Sequence, residues 1–491
     1  MLKLVIFGTM FSTIDLMELI IIYPKLFLIL VPTLIIVIFW YVFCKSTAGS
    51  RIFLVDFACY KPQNNQQICR QNFLNRSSRE LKFNSDTLKF MDRILQRSGL
   101  GDKTYVSKGL LSDPMDMSTK AAKEEVEMAV FGAIDELLLK TGVRCEEIGI
   151  LVSVCGVFNI MPSLSSVIVK RYKLREDIRS YNMTGMGCSA GLIALGLVQN
   201  LLKVHDNSYA LLVTTESTTD NVYKGNDRSK LLSNCVFRVG AVALLLSNKP
   251  SDQNTCKYEL VHTVRSQTTN TDRSYNCIFM EEDEQGHRGI SINKDLLYAA
   301  MKTIRSNIST VAPLVLPLSE QFRYLMNIIV RRFRTGSKME PYNPEFSRAI
   351  DHFFPHVGGK PVLDDLQKKL GFSDEQMEAS RMTLYRFGNT SNSSIWYEVA
   401  YVEAKGRVKK GDTLWQIAFG SGFKCSSVIW RATRSIDRDE MNPWRDEIDE
   451  FPVDVSKIGA LSDLFVASKS RYWTIRTVVQ GFCLQSSGDP R

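Results

Sequence analysis

The chain has 491 residues, 45 % hydrophobic and 23 % charged, with a formal net charge of +9. This composition excludes a disordered, collagen-like or wholly membrane-embedded protein, and the length allows two domains or one large layered unit. The modest basic excess suits anionic partners without choosing among them, and it lacks the clustered aromatic interleaving of a nucleic-acid surface.

Leu26–Cys44 reads LFLILVPTLIIVIFWYVFC, nineteen residues without a charge. At 1.5 Å per residue such a helix nearly spans a bilayer core. The run is long for a signal peptide and no small-x-small cleavage site follows it, so a membrane anchor is expected. Leu4–Tyr23 is a weaker second span, interrupted by Asp15 and Glu18. Lys45, Arg51, Lys61, Arg70 and Arg76 follow the main span, whereas Lys3 and Lys25 precede it. The positive-inside rule places the large domain in the cytosol. Eleven scattered cysteines, odd in number and without a CxxC pair, agree with a reducing compartment. The five histidines show no HExxH spacing, and no metal site is expected.

Residues 45–85 read as an irregular lead-in. Met117–Gly142 has helical spacing, with Ser118 or Thr119 as a cap and Gly142 as a stop. Ile148–Cys155 is a short apolar run that suits a strand buried on both faces. A further element begins at Pro162 and ends near Lys173. A strand over 178–183 leads into NMTGMGCSAGL (Asn182–Leu192), and Ala190–Leu202 is an almost wholly apolar helix. Strands are expected over Tyr209–Thr215 and Val239–Ser247. The second half repeats this plan loosely. It has a helix with a basic stretch over Leu316–Phe333, a short helix over Gly359–Leu370, a glycine turn and buried helix over Arg386–Gly406, and strand–glycine loop–strand over Leu414–Trp430. NMTGMGCSAGL and RFGNTSNSSIW hold matching places, which predicts a duplicated β/α architecture around a covered sheet. The expected division is an anchor over 1–44, the lead-in over 45–85, a first half over 86–250, a second half over 251–453, and an atypical, disordered tail over 454–491.

Cys188 admits two readings, a small buried residue or a nucleophile. Its place at a helix start, where free N–H groups and the helix dipole lower a thiol pKa, favours the second. Gly185 and Gly187 permit a tight turn beside it, as in a strand–turn–helix nucleophile elbow. A proton manager is then needed. His356 lies in a loop before a helix, and His352, in an apolar helix end, is its nearest rival. His205 reads as surface. Asn389 is either an Asx-turn residue or an amide donor aimed at developing oxyanion charge. Gly420 and Gly422 are expected to bring backbone N–H groups close to the same place.

Seven stretches in a fixed order carry a family resemblance. They are VDFACYKP (Val55–Pro62), RSGLGDKTYV (Arg97–Val106), GMGCSAG (Gly185–Gly191), PLVLPLSEQ (Pro313–Gln321), EASRMTLYRFGNTSNSSIWYE (Glu378–Glu398), IAFGSGFKCSSVIW (Ile417–Trp430) and NPW (Asn442–Trp444). From about Val55 to Val453 the chain resembles the plant 3-ketoacyl-CoA synthases, the condensing enzymes of very-long-chain fatty acid elongation. The resemblance implies a thiolase-like, duplicated αβαβα five-layered α/β fold preceded by a membrane segment. It implies Cys188, His356 and Asn389 as the catalytic trio; His262, His352, Gly420 and Gly422 are expected in support. It also implies acyl-CoA and malonyl-CoA as substrates without a cofactor or metal, and a homodimer in the endoplasmic reticulum membrane beside the reductase and dehydratase of an elongase complex. Where such enzymes usually carry histidine, this chain has Val264, Gln267 and Tyr385, and Val357 and Lys360 alter the stretch around His356. Two rivals remain: a soluble-type condensing relative such as a polyketide synthase, which the anchor disfavours, and a catalytically weak elongase scaffold, which these departures keep open.

Overall fold

The computed structural model describes residues 51–333, 342 and 344–455; the expected spans over 4–23 and 26–44 and the tail beyond 455 lie outside them. In chain order the first half runs Phe53–Cys59 (β1), Thr119–Thr141 (α1), Ile148–Cys155 (β2), Leu164–Tyr172 (α2), Arg179–Met183 (β3), Ala190–Val204 (α3), Tyr209–Thr215 (β4) and Ala241–Ser247 (β5). The second half runs Tyr258–Gln267 (β6), Leu296–Val315 (α4), Leu318–Phe333 (α5), His352–Pro355 (β7), Lys360–Leu370 (α6), Asp374–Phe387 (α7), Ser394–Ala404 (α8), Thr413–Gly420 (β8) and Lys424–Ala432 (β9).

The ends of these elements follow from local chemistry. Ser118 accepts the Ala121 N–H at 3.2 Å and opens α1, and Gly142 closes it at φ 65°, a conformation that glycine adopts without penalty. β2 is buried at all eight positions, as its unbroken apolar run requires.

The nine strands pair in the order β7-β8-β9-β6-β1-β5-β4-β2-β3. β2 runs parallel to β3 and β4, and β7 runs parallel to β8. β1 pairs along its length with β5 but meets β6 only at Phe53 and Leu54. The two halves of the sheet diverge from that seam, and α3 lies between them, packed on β2 and β4 to one side and on β6, β8 and β9 to the other. The central helix α8 is buried at all eleven residues.

Alternate strand positions supply different cores. Val152, Leu212 and Leu244 face the central helices together with Leu414 and Val428 of the other half. Leu151, Leu211 and Leu245 face outward onto α1 and α2, whereas Trp415 and Ile429 face outward onto α4 and α6. Helix, sheet, central helices, sheet and helix make the five layers expected. Among the described residues, the helix long and apolar enough to cross a membrane is Gly187–Val204; it is α3, a core helix of the central layer.

One expectation needs correction. Where it is described, the stretch over 45–85 is not an irregular lead-in, because it contains β1 at the seam of the sheet and a helix over Arg70–Leu81. Asp56 breaks the apolar pattern of β1 and hides the strand. Its charge is met inside the fold by Lys257 Nζ at 2.8 Å, which also lies 3.0 Å from Glu403.

Candidate active site

Three separate segments bring the proposed trio to one place. Cys188 follows β3 through a turn with Gly185 at φ 76° and Gly187 at φ 54°, and sits in a single 3-10 turn, Gly187–Ser189, that leads into α3. The second half packs directly against this turn. A Cβ on Gly420 would lie 2.8 Å from Met186 O and from Ser189 N, so only a glycine at the end of β8 lets the two backbones approach so closely. Gly422 lines the same cavity as Cys188.

His356 emerges from the end of β7, its N–H donating to Ile417 O at 2.9 Å. Its ring is 2 % exposed and stands edge-on to Phe419, with centroids 5.6 Å apart. Asn389 is fixed through its backbone, its N–H donating to Val236 O at 3.2 Å and its carbonyl accepting from Arg238 N at 2.9 Å. Its Oδ1 accepts the Ser391 N–H at 2.8 Å, which leaves the amide Nδ2 as the group offered to the site. Cys188, His356 and Asn389 line one cavity of about 460 Å3, within the range of ligand sites.

The electrostatics correct one part of the sequence reading. Burial pushes the Cys188 thiol up to about 12, while hydrogen bonds from Ser391 and Asn389 pull the other way. The helix start therefore does not yield a resting thiolate, and the thiol needs a base when it attacks. Burial also pushes His356 down to about 3, which keeps the imidazole neutral, with one ring nitrogen as donor and one as acceptor.

Two serines contact the thiol and the imidazole, and the one at the imidazole fits either tautomer. Ser391 Oγ donates to Cys188 Sγ at 3.6 Å. Ser394 Oγ lies 3.1 Å from His356 Nδ1 and 2.7 Å from Ser391 O. A hydroxyl carries one hydrogen. When Ser394 donates it to Ser391 O, Nδ1 donates to Ser394 and Nε2 is an acceptor. When Ser394 donates it to Nδ1, Nε2 carries the hydrogen and is a donor. In sequence, NTSNSS looks locally like a set of helix caps, which hides both serines; their spacing of two and five residues after Asn389 is the signal that marks them.

Glu216 was also missed. It is 5 % exposed, its Oε1 accepts the N–H of Ser217 at 3.1 Å and of Phe158 at 3.3 Å, and its Oε2 has no hydrogen-bond partner among the described residues. Burial pushes this carboxyl up to about 7. It stands behind the cavity wall, since a Cβ on Gly156 would lie 2.5 Å from Oε2 and 3.3 Å from Gly187 Cα.

Two expected supporting residues are not brought to the site. His262 lies in β6 opposite Ile429 and is not among the residues lining the cavity. His352 begins β7, rather than ending a helix, and its Nε2 pairs with Asp412 Oδ2 at 2.9 Å, away from the cavity.

Comparison with known proteins gives the family. Residues 44–333 match the FAE1/type III polyketide synthase-like protein family, and residues 347–432 match the C-terminal domain of 3-oxoacyl-[acyl-carrier-protein] synthase III. The chain is 50 % identical over 433 residues to 3-ketoacyl-CoA synthase 2 of Arabidopsis thaliana, covering 87 % of this chain and 81 % of that one. The chain belongs to the 3-ketoacyl-CoA synthase family. A probable 3-ketoacyl-CoA synthase 20 from Oryza sativa subsp. japonica is 46 % identical over 418 residues, covering 84 % of this chain and 80 % of the rice one. Among solved structures, the type III polyketide synthase domain of Steely1 from Dictyostelium superposes with a TM-score of 0.60 at 18 % identity, covering 78 % of this chain and 99 % of that domain. The fungal type III polyketide synthase ORAS gives 0.59 at 18 %, with the same coverage. These likenesses establish the fold.

Membership of the 3-ketoacyl-CoA synthases gives the departures a sharper meaning. Val264, Gln267 and Tyr385 are absent from the cavity wall. Val264 is buried in the outer core of the second half, Gln267 bonds Thr269 at 2.6 Å, and the Tyr385 ring packs edge-on to Phe451. Near His356, Val357 is buried in the same outer core and Lys360 pairs with Asp364 at 2.9 Å. None of the five lines the thiol's cavity.

Proposed function

We propose that this chain joins a long-chain or very-long-chain acyl-CoA to malonyl-CoA by decarboxylative Claisen condensation, with Cys188 as nucleophile and His356 and Asn389 as its polarising partners. As a 3-ketoacyl-CoA synthase the chain is a condensing acyltransferase of fatty acid elongation. The observation that carries the residue roles is the convergence of thiol, neutral imidazole and oriented amide, from both halves, on one cavity.

In the first step Cys188 Sγ attacks the acyl thioester carbonyl as His356 Nε2 takes the thiol proton; the C–S bond to CoA breaks and the leaving thiolate receives that proton. In the second step the C–C bond to the malonyl carboxylate breaks and CO2 departs. The electron pair collects as an enolate whose oxygen accepts hydrogen bonds from His356 Nε2 and Asn389 Nδ2. The enolate carbon attacks the acyl-enzyme, the bond to Cys188 breaks, and the sulfur takes up a proton from solvent, the one proton the decarboxylation consumes overall. A 3-ketoacyl-CoA two carbons longer leaves. His356 must accept at Nε2 in the first step and donate there in the second, and the Ser394 hydroxyl serves either tautomer.

The long uncharged run over 26–44 and the cationic residues after it support anchorage in the endoplasmic reticulum membrane with the catalytic unit in the cytosol. Homodimerisation and work beside the elongase reductase and dehydratase belong to the same proposal. Protease protection of intact microsomes tests the orientation: a shielded catalytic unit would reverse it.

Microsomes carrying the full chain, given labelled malonyl-CoA and an acyl-CoA series, test the reaction. A product two carbons longer, lost in Cys188→Ala, is expected. A correctly inserted chain that makes no product would leave it a non-catalytic elongase subunit.

A further inference from the structure

A second cavity, of about 710 Å3, lies beyond the catalytic one, and the two share Met301, Ile304 and Leu366 as walls. Helix α4 is the common floor. Leu297, Ala300 and Ile304 face the thiol's cavity, and Ile304, Ile308 and Ala312 continue into the second. From Leu297 to Pro313 this floor covers about 24 Å of helix axis. The opposite wall is α5, whose Leu318, Phe322 and Leu325 line the second cavity while remaining 82 %, 63 % and 52 % exposed. Gln321 Nε2 donates to Pro313 O at 3.1 Å and Leu316 O at 2.8 Å, tying α5 to the end of α4. A lining of aliphatic and aromatic side chains, open along one side and adjoining the nucleophile's cavity across the shared wall of Met301, Ile304 and Leu366, suits a hydrocarbon that begins at Cys188.

We infer that this groove between α4 and α5 takes the distal part of the acyl chain carried on Cys188, and that successive turns of α4 at Ile304, Ile308 and Ala312 measure its length. The inference rests on the proposed acyl transfer to Cys188. The three positions are four residues apart, so each step moves a block about 6 Å farther from the thiol. Each methylene kept out of water is worth roughly a four-fold gain in binding, so a block should leave shorter chains accepted and penalise every methylene beyond it.

The test uses the full chain in lipid nanodiscs with saturated acyl-CoAs from palmitoyl to hexacosanoyl. Acylation of Cys188 is read by intact mass and condensation by product analysis. Ile304→Trp should cut off acylation at the shortest chain, Ile308→Trp at a longer one and Ala312→Trp at the longest, with about four-fold loss per methylene beyond each block. Leu325→Glu changes a half-exposed residue on the open side and does not depend on repacking a buried one; it should lower the ratio of longest-chain to palmitoyl acylation at least ten-fold. Unchanged length profiles in all four variants, or equal losses at every length, would overturn the groove, and would leave a bilayer or another protein as the cover of α5. A parent chain that is neither acylated nor condenses with any acyl-CoA would instead remove the catalytic reading on which the groove depends.

Discussion

Two turns of the molecule share a backbone and differ in their chemistry. Gly187–Ser189 and Ser391–Ser393 are each a single 3-10 turn that opens at positive φ, 54° and 59°, and runs into a central helix, α3 or α8. In that register Cys188 corresponds to Asn392 and Ala190 to Ser394. Asn392 turns its Nδ2 to Thr215 O at 3.1 Å and serves structure. The working groups of the second turn stand on either side of it, at Asn389, Ser391 and Ser394. Duplication thus kept a helix entry, and the halves divided the labour: one supplies the nucleophile, the other the groups that hold proton and charge. The first turn opens with glycine, whereas Ser391 accepts a left-handed backbone costing about 1–2 kcal/mol and places a hydroxyl on the sulfur.

The largest effect should come from removing the second turn's amide. Asn389→Ala should lower condensation by about 10²- to 10³-fold, as loss of one oxyanion donor does, while acyl-enzyme on Cys188 still accumulates in single-turnover mass spectra. Equal loss of acylation would mean that the labour is not divided between the turns.

Next is the carboxyl that stands behind the first turn alone. Glu216 titrates near 7 when folded but nearer 4.5 when unfolded. Between those values the unfolded chain gives up its proton first, so stability falls as pH rises, by up to about 3 kcal/mol. Glu216→Gln removes this penalty. Its melting temperature should exceed the parent's at pH 8 and nearly match it at pH 5; a gain equal at both would assign the effect to packing.

Ser394→Ala is expected to cost about ten-fold in kcat and to alter the pH profile of acylation, with Ser394→Thr restoring both. A parallel loss at every pH, without rescue, would make Ser394 structural only. The smallest change makes the second turn resemble the first. Ser391→Gly should relieve the left-handed backbone, raising stability by up to about 1 kcal/mol, and slow acylation a few-fold through the lost contact with Cys188. Faster acylation would show that the hydroxyl hinders the thiol.

The sequence made much of this architecture legible. Apolar runs marked β2 and β5 because both their faces are covered, and glycines marked Cys188 because its turn is packed from the other half. What escaped depended on partners distant in the chain. β1 contains Asp56, whose neutralisation by Lys257 is invisible in a local pattern. Ser391 and Ser394 look like helix caps until the fold sets them against Cys188 and His356. The lowered thiol pKa expected of a helix start was outweighed by burial, which a sequence does not display. Scarcity of histidine favours His352 and the family resemblance favours His262, yet their strands hold them away from the cavity.

The seam strand also imposes an order on synthesis. β1 leaves the ribosome before its partner β5, which begins roughly 180 residues later, and translation at about 5–20 residues per second makes that wait some ten to forty seconds. Until Ala241–Ser247 emerges, Phe53–Cys59 is an apolar strand with free edges, the kind of segment that seeks other chains. The nascent protein therefore needs cover for this one strand longer than for any other in the sheet, and the two halves join only when both β5 and β6 have been made.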